Sequence, residues 1–196
     1  MKRISVLIVL FYISCIAYAD TFISDDIITN PTPSRFNICD GGTCENITDV
    51  SLNEEQWGRV KNLFSGNRTA EDERQSIQFA IAKMELIVGR LTGTYNDKGK
   101  NESDDQFNHY MDCIDESTNT SLYMTMMQKS GLIKLHTVED RGNRGFFFNG
   151  WPHTTAVIKE TRTEKLYAVD SWFLDNGQQP LIIPLDTWLD GWRPPK

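Results

Sequence analysis

The sequence has little positive charge, few histidines and a modest apolar content. It has 20 lysines and arginines against 27 aspartates and glutamates, a net charge of −7. So acidic a chain is repelled by nucleic-acid phosphates and anionic lipids, and nucleic-acid binding is not expected. Its 39% hydrophobic content is too low for many membrane spans and too high for intrinsic disorder. The length of 196 residues fits one ordinary domain.

The first 19 residues have the pattern of a secretory signal peptide. A positive start at residues 1–3 precedes an apolar run at 4–16, and the small-x-small sequence at 17–19 offers a cleavage site. The run is short for a membrane span, and the residues before Cys15 form a poor lipobox, so we expect no stable membrane anchor. Cleavage would remove two of the 20 basic residues and leave 18 against 27 acidic ones, a net charge of −9. We expect an exported protein, periplasmic or secreted.

Three cysteines remain after such a cleavage. Cys39 and Cys44 flank a short, flexible loop and can form a disulfide in an oxidising compartment. Cys113 is then left over. An unpaired thiol in an exported protein is expected to be either deeply buried or used as a nucleophile.

The first part of the chain predicts an arm followed by a helix. Residues 20–50 contain prolines, a Gly-Gly pair and little periodicity, which indicates an extended arm that carries the disulfide loop. Ser51 and Glu54 have the spacing of a capping box, which predicts a helix that begins at Ser51 and is ended by Gly66.

Two further helices are predicted by apolar residues at helical spacing. One is capped by Thr69 and stopped by Gly93. Residues 94–108 are polar and are predicted to form a mobile loop. The other helix runs over residues 113–130, with Asp112 at its N-cap.

Beyond Gly131 the apolar spacing changes toward a period of two, which is typical of strands. Turn-rich segments are predicted at 140–143 and 175–177. The predicted strands are residues 132–138, 145–148, 153–160, 165–170 and 180–183. Helices followed by strands indicate an α+β domain, with N-terminal helices packed on an antiparallel sheet. The chain therefore divides into a signal peptide at 1–19, the arm at 20–50 and one domain at 51–196.

Cys113 would stand in the first turn of its helix, where unpaired backbone N–H groups and the helix dipole stabilise a thiolate. A base for it must come from His109, His136 or His153. His153 follows a proline and opens a strand at a sheet end, which suits a catalytic side chain. His136 shares a strand face with Lys134 and is expected to be solvated.

Asp170 ends the strand that should pair with the strand begun by His153. In such a hairpin the start of the first strand lies beside the end of the second, so the two side chains should be neighbours. A carboxylate there would fix the imidazole tautomer. Trp172, Trp188 and Trp192 are expected to serve in core or edge packing, and the alternative for Trp172 is an exposed ring beside Asp170 that shields the imidazole from water.

Three short motifs resemble those of the transglutaminase-like, papain-fold cysteine enzymes. They are Met-Asp-Cys-Ile-Asp-Glu at 111–116, Trp-Pro-His-Thr-Thr-Ala-Val at 151–157 and Tyr-Ala-Val-Asp-Ser-Trp at 167–172. The similarity covers about residues 107–185 and keeps the expected order, with cysteine at a helix start, histidine on one strand and aspartate on the next. The resemblance implies a papain/transglutaminase-like core.

The same resemblance implies acyl transfer through a thioester. Cys113 would be the nucleophile, His153 the general base and acid, and Asp170 the orienting carboxylate. Gln106 and Tyr110 are candidate oxyanion donors beside the backbone N–H of Cys113. The substrate would be an amide in a peptide, protein or cell-wall component, with hydrolysis and transfer both open. No cofactor and no metal are expected.

Plainer interpretations of these residues stay open. Cys113 would then be an inert buried thiol, and the protein a binding or structural module that keeps the fold without catalysis. A zinc site can also be drawn from His109, Cys113 and His153, but structural zinc prefers paired Cys or His spacings. The acidic pair Asp115-Glu116 is expected to be solvated.

Overall fold

The structure is a computed structural model that describes residues 26–66, 68–101, 109–145 and 152–195. The predicted signal peptide, Gln106, residues 102–108 of the predicted loop and residues 146–148 of the strand expected at 145–148 lie outside these ranges. The described part is mixed α+β, with four α-helices and two antiparallel sheets. Its elements are β1 (Phe36–Asp40), β2 (Asn46–Val50), α1 (Glu54–Lys61), α2 (Ala70–Thr92), α3 (Cys113–Lys129), β3 (His136–Arg144), β4 (His153–Glu160), β5 (Leu166–Asp170), β6 (Leu181–Pro184) and α4 (Leu185–Leu189).

The segment expected to be an extended arm contains a β-hairpin. β1 pairs with β2, with Phe36 opposite Val50, and the Cys39–Cys44 disulfide closes the connection. Phe36 and Val50 join the main hydrophobic core. β1 is buried along its whole length, polar residues included, so it lacks the alternation by which half-exposed strands are recognised.

The helix ends follow local capping chemistry. The predicted cap of α2 at Thr69 and its stop at Gly93 are confirmed, since Thr69 accepts from the Asp72 N–H and Gly93 has a left-handed φ of 96°. The cap predicted at Ser51 is wrong, because the capping box of α1 consists of Asn53 and Gln56. Asn53 and Gln56 have the same three-residue spacing as Ser51 and Glu54, so the capping box is present but lies two residues further along the chain.

The core lies between α2, α3 and the four-stranded sheet, whose order is β3-β4-β5-β6. Its fully buried side chains include Ile77, Ile81 and Met84 of α2, Met124, Met126 and Met127 of α3, and Ile158 of β4. α3 is central, because it packs on both sheets. Even the polar residues of its first two turns are buried, and the expectation that Asp115 and Glu116 are solvated is wrong.

β3 departs from the predicted pattern. The strand and turn expected at 132–138 and 140–143 are replaced by one strand over His136–Arg144, with an irregular register between Glu139 and Gly142. The carboxylate of Glu73 accepts from the backbone N–H groups of residues 134 and 135 and holds that segment out of the sheet. Pairing with β4 therefore replaces the turn predicted at 140–143 with a continuous strand. A β-bulge accommodates the irregular register.

His136 is buried rather than solvated. Its Nδ1 lies 2.9 Å from Oε1 of Glu73, and Nη1 of Arg74 lies 3.2 Å from its Nε2. Arg74 also donates to Glu160 at 2.9 Å. These groups link the start of α2 to β3 and β4. They give His136 a structural role in the fold, and no catalytic role is needed to explain its burial.

Four carboxyl groups are buried around the first half of α3 and the middle of α2. Burial is the main cause that raises the pKa of Glu85 to about 8 and those of Asp97 and Asp115 to about 7. Burial and the charge of Glu85 also raise the pKa of Glu116. Glu85 still has one N–H donor, from Gly177 at 2.8 Å.

We predict that the protein becomes less stable as the pH rises from about 5 to about 8. Unfolded carboxyl groups titrate near pH ~4, whereas those of Glu85, Asp97 and Asp115 titrate in the fold at about 7 to 8, so the folded state binds extra protons between these values. The stability that they contribute is complete below the unfolded pKa and is lost as the pH rises through the folded pKa. The melting temperature should fall by several degrees across this range.

Glu85→Gln provides the control, since its amide keeps an oxygen for Gly177 but does not titrate. We expect this variant to show a smaller fall in melting temperature. A wild-type melting temperature that is flat or rising over the same range would contradict the prediction.

Candidate active site

Cys113 is the first residue of α3 and is half-buried, with no disulfide partner. The carboxylate of Asp112 caps the helix by accepting from the N–H groups of Ile114 at 2.8 Å and Asp115 at 3.0 Å. The helix start predicted from the sequence is therefore confirmed. This cap fixes the backbone that carries the thiol.

His153 and Asp170 are neighbours, as the hairpin register predicted. Ala156 pairs with Val169 in the β4–β5 ladder, which places Asp170 diagonally from His153 on one face of the sheet. His153 Nε2 lies 2.8 Å from Asp170 Oδ2, and both side chains are buried. The pair closes the end of the sheet that faces the start of α3.

The Nδ1 atom of His153 is buried and has no hydrogen-bond partner in the described part of the chain. Because Asp170 holds Nε2 as a donor, the neutral ring carries its proton on Nε2 and leaves a lone pair on Nδ1. A buried lone pair without a donor is costly, so such atoms in native proteins call for an explanation. A thiol or substrate proton would supply one.

The thiol of Cys113 lies against the first residues of β4. The backbone N–H of Thr154, the residue after His153, donates to the sulfur, and the charge of Asp170 also acts on it. Cys113, His153 and Asp170, the three catalytic candidates named from the sequence, therefore lie around one junction between the start of α3 and the ends of β4 and β5.

The thiol is not stabilised as a thiolate in the resting fold. Burial raises the pKa of Cys113 to about 11, assisted by the negative charges of Asp112 and Asp170 and opposed by the N–H of Thr154. The backbone N–H of the helix start lowers the pKa of Cys113, as predicted, but desolvation and two carboxylates outweigh this effect. Any activation must come from a base beside the sulfur.

Aromatic rings enclose the imidazole. The ring centroids of Trp172, Phe173 and Trp188 lie 4.7, 5.2 and 5.4 Å from that of His153. Trp172 is fixed by its indole N–H, which donates to the carbonyl of Asn101 at 2.8 Å. The rings keep water from the pair of His153 and Asp170, which strengthens their interaction.

Trp188 and Arg144 are two site residues that the sequence did not reveal as such. The indole N–H of Trp188 donates to Oδ2 of Asp170 at 2.7 Å, the same oxygen that His153 contacts. Arg144 stacks its guanidinium 4.2 Å from the centroid of the Trp188 ring and donates to the carbonyls of Trp188 and Trp192. No local pattern marks these roles, because they arise only when α4 packs against β3 and β5.

The disulfide loop is bound to the first turn of α3. Asp115 accepts from the N–H groups of Gly42 at 2.7 Å and Cys44 at 2.6 Å, and Asp112 accepts from Thr43 at 2.9 Å. Successive backbone N–H groups that converge on carboxylates form an anion-binding nest. The loop therefore satisfies two acids beside the nucleophile.

A second contact holds this loop one turn further along α3. The side chain of Asn119 accepts from the Cys39 N–H and donates to the Cys39 carbonyl, both at 2.8 Å. Thr43 and Cys44 have left-handed φ values of 50° and 56°, which are unfavourable for residues with a Cβ. The disulfide and the bonds to α3 hold the loop in this conformation.

The remaining sequence candidates have other surroundings. The hydroxyl of Tyr110 faces Gly42 in the disulfide loop, and the Tyr110 carbonyl accepts from Gly41 at 2.8 Å. His109 lies 3.2 Å from Asp40 and is half exposed. Gln106 lies outside the described residues.

The zinc arrangement drawn from His109, Cys113 and His153 does not form. In the described ranges, the one group of acidic, cysteine or histidine side chains close enough to share an ion comprises Cys39, Cys44 and Asp115. Its two sulfurs are joined in the disulfide.

Comparison of the chain with protein-family models, with curated proteins and with solved structures finds no match in any of the three. Among the described helices, none is long and apolar enough to cross a membrane.

We predict that Trp188→Phe lowers the free energy of unfolding by about 2 kcal/mol, because a buried carboxylate loses one of its N–H donors. The iodoacetamide reactivity of Cys113 should fall with it, because Asp170 then holds His153 less firmly. Urea unfolding and the rate of alkylation measure the two effects. Trp57→Phe on α1 is the matched control, and an equal loss of stability and reactivity in both variants would contradict the prediction.

We predict that replacing both Cys39 and Cys44 by serine lowers the free energy of unfolding by about 2 kcal/mol, the value expected for a short closed loop. The bridged cysteines are separated by 5 positions in sequence. Urea unfolding with and without dithiothreitol tests this. Reductant should move the wild-type midpoint toward that of the variant and leave the variant unchanged; a wild-type midpoint insensitive to complete reduction would refute it.

Proposed function

We propose that the protein is an exported cysteine-dependent amide hydrolase or acyl transferase with a papain/transglutaminase-like core. The observation that carries the proposal is the buried, unpartnered Nδ1 of His153, held by Asp170 next to the residue whose N–H contacts the Cys113 sulfur. General-base activation of a nearby thiol requires a base with one nitrogen held by a carboxylate and the other free to accept a proton. The same class of enzyme is supported by where the three residues lie: the cysteine at a helix start, the histidine on one strand and the aspartate on the next strand.

The reaction begins from a neutral thiol and a neutral imidazole. The sulfur of Cys113 attacks the carbonyl carbon of an amide while its proton passes to Nδ1 of His153. The new C–S bond turns the carbonyl oxygen into an oxyanion, and Asp170 stabilises the imidazolium. Because the pKa of the thiol is raised to about 11, attack and proton transfer must proceed together rather than from a stored thiolate.

The second half of the reaction releases the amine and then the acyl group. The C–N bond breaks as Nδ1 returns its proton to the leaving nitrogen, and the acyl group stays on sulfur as a thioester. Water or another amine then attacks the thioester carbon while His153 takes its proton. The C–S bond breaks, and the proton passes from His153 to the sulfur of Cys113. The choice of acceptor separates a peptidase from a transferase. A peptide, protein or cell-wall amide is the proposed substrate.

Export is part of the proposal. It is supported by the signal-like pattern of residues 1–19 and is compatible with the disulfide that closes the β1–β2 connection.

A binding module without catalysis is the second candidate. The raised pKa of Cys113 favours it, since a thiol that stays protonated is inert by itself. The two candidates differ in what His153 does to that thiol.

We predict that His153→Ala lowers the rate of iodoacetamide alkylation of Cys113 at pH ~7 by about 100-fold, the usual scale of general-base assistance. The residual reaction should rise only at alkaline pH, as the thiol itself ionises. Mass spectrometry of the Cys113 peptide measures the rate. His109→Ala is the matched control and should react like the wild type. Equal rates in wild type and His153→Ala would remove the enzyme proposal and leave the module.

Acyl transfer itself is tested with p-nitrophenyl acetate. The wild type should carry an acetyl group on Cys113 and release p-nitrophenolate, and hydroxylamine should remove the acetyl group. His153→Ala and Asp170→Asn should acylate more slowly.

A further inference from the structure

Residues 97–101 form a short segment that is bonded to both sides of the candidate site. On one side the segment contacts the residues that lead into α3, and on the other it contacts the residues that follow β5. None of Cys113, His153 and Asp170 belongs to it. The segment therefore takes no direct part in the proposed reaction, but it links the backbone that carries the thiol to the surroundings of the imidazole.

The first contact is made by the carboxyl group of Asp97, which is only 6% exposed. Its Oδ1 atom accepts from the backbone N–H of Met111 at 2.8 Å and lies 3.4 Å from the side-chain amide of Asn101. Met111 directly precedes Asp112, the N-cap of α3, and stands two residues before Cys113. Asp97 therefore fixes the backbone immediately ahead of the thiol.

The second contact is made with Trp172, whose ring centroid lies 4.7 Å from that of His153. The indole N–H of Trp172 donates to the carbonyl of Asn101 at 2.8 Å, and the backbone N–H of Lys100 donates to the carbonyl of Trp172 at 2.6 Å. Both the side chain and the backbone of Trp172 are therefore held by residues 97–101.

Gly99 allows this segment to lie directly against the chain that follows β5. A Cβ atom at Gly99 would lie 2.5 Å from the carbonyl oxygen of Phe173 and 2.7 Å from the backbone nitrogen of Leu174, both too close for a carbon atom. The N–H of Gly99 also donates to Asp175 at 3.1 Å. A residue without a side chain is therefore required at this position.

The proposed reaction depends on the distance between groups that belong to different elements. The thiol lies at the start of α3 and the imidazole at the start of β4. Since the raised pKa of Cys113 leaves no stored thiolate, its proton must pass to His153, which requires the two side chains to come within about 3 Å of each other. A displacement of ~1 Å at such a centre can lower a rate by about 100-fold.

We propose that Asp97 is a positioning residue, which acts through residues 97–101 to hold Cys113 and the Trp172 ring at the spacing from His153 that proton transfer requires. Asp97 acts through Met111 and Asn101 and does not touch the reacting atoms. The proposal rests on the function proposed above and adds a residue outside the three catalytic candidates.

The test measures iodoacetamide alkylation of Cys113 in Asp97→Ala, with and without His153→Ala in the same chain. Asp97→Ala alone should slow alkylation at pH ~7 by about tenfold, because the thiol moves away from the imidazole. In the His153→Ala background it should change the rate by less than about twofold, because no imidazole is left to be misplaced. A substitution that only loosens the fold would instead expose the thiol and speed alkylation in both backgrounds.

Three further variants complete the test. Asp97→Asn keeps an oxygen for the Met111 N–H and should restore most of the wild-type rate. Gly99→Ala pushes residues 97–101 away from Phe173 without removing an acceptor and should also slow the alkylation that depends on His153. Gln128→Ala is the matched control, since it removes the acceptor of one backbone N–H, that of Val138 at 2.8 Å, at the other end of α3. It should react like the wild type.

An unchanged or faster rate in Asp97→Ala, or the same slowing with and without His153, overturns the positioning role. Circular dichroism identifies a variant that has lost its fold, and if Asp97→Ala does so, the same comparison is made with Gly99→Ala. If His153→Ala itself does not slow alkylation, the proposed function fails and the positioning role fails with it. If His153→Ala slows alkylation but neither Asp97→Ala nor Gly99→Ala does, only the positioning role fails.

Discussion

The Oδ2 atom of Asp170 is the point on which the candidate site depends. It lies 2.8 Å from Nε2 of His153 and accepts from the indole of Trp188 at 2.7 Å, inside the protein and away from water. Two N–H groups are needed there, because a buried carboxylate with too few donors is strongly destabilising. This one oxygen therefore sets the tautomer of the imidazole and fixes the position of α4. Arg144, stacked on the indole, fixes the other side of Trp188.

The environment of Cys113 combines two opposing demands. A helix start and the N–H of Thr154 favour negative charge on the sulfur, while burial and two nearby carboxylates disfavour it. The balance keeps the thiol protonated and unreactive until a base takes its proton. This would suit the proposed export, since a permanent thiolate is readily oxidised or captured in mixed disulfides.

Much of the fold could be predicted because its signals are local. The caps at Thr69 and Asp112 and the stop at Gly93 depend on residues a few positions apart. The pairing of His153 with Asp170 followed from the antiparallel register.

Other features had no local signal. The first strand of the hairpin, at 36–40, is buried on both faces, and the strand at 136–144 contains a bulge where Asp-Arg-Gly-Asn resembles a turn. Asp115 was expected to be solvated because its partners, backbone groups of the disulfide loop, lie 73 and 71 positions away in the sequence. The partner of the buried Asn119, Cys39, lies 80 positions away.

The buried acids affect how the molecule behaves in an electric field. A formal charge of −7 counts Glu85, Asp97, Asp115 and Glu116 as fully ionised, whereas the fold holds protons on them well above the usual range of carboxyl groups. The native protein should therefore focus at a higher pH than the value of about 5.0 set by its composition. Urea, by releasing those protons, should return the band to the compositional isoelectric point.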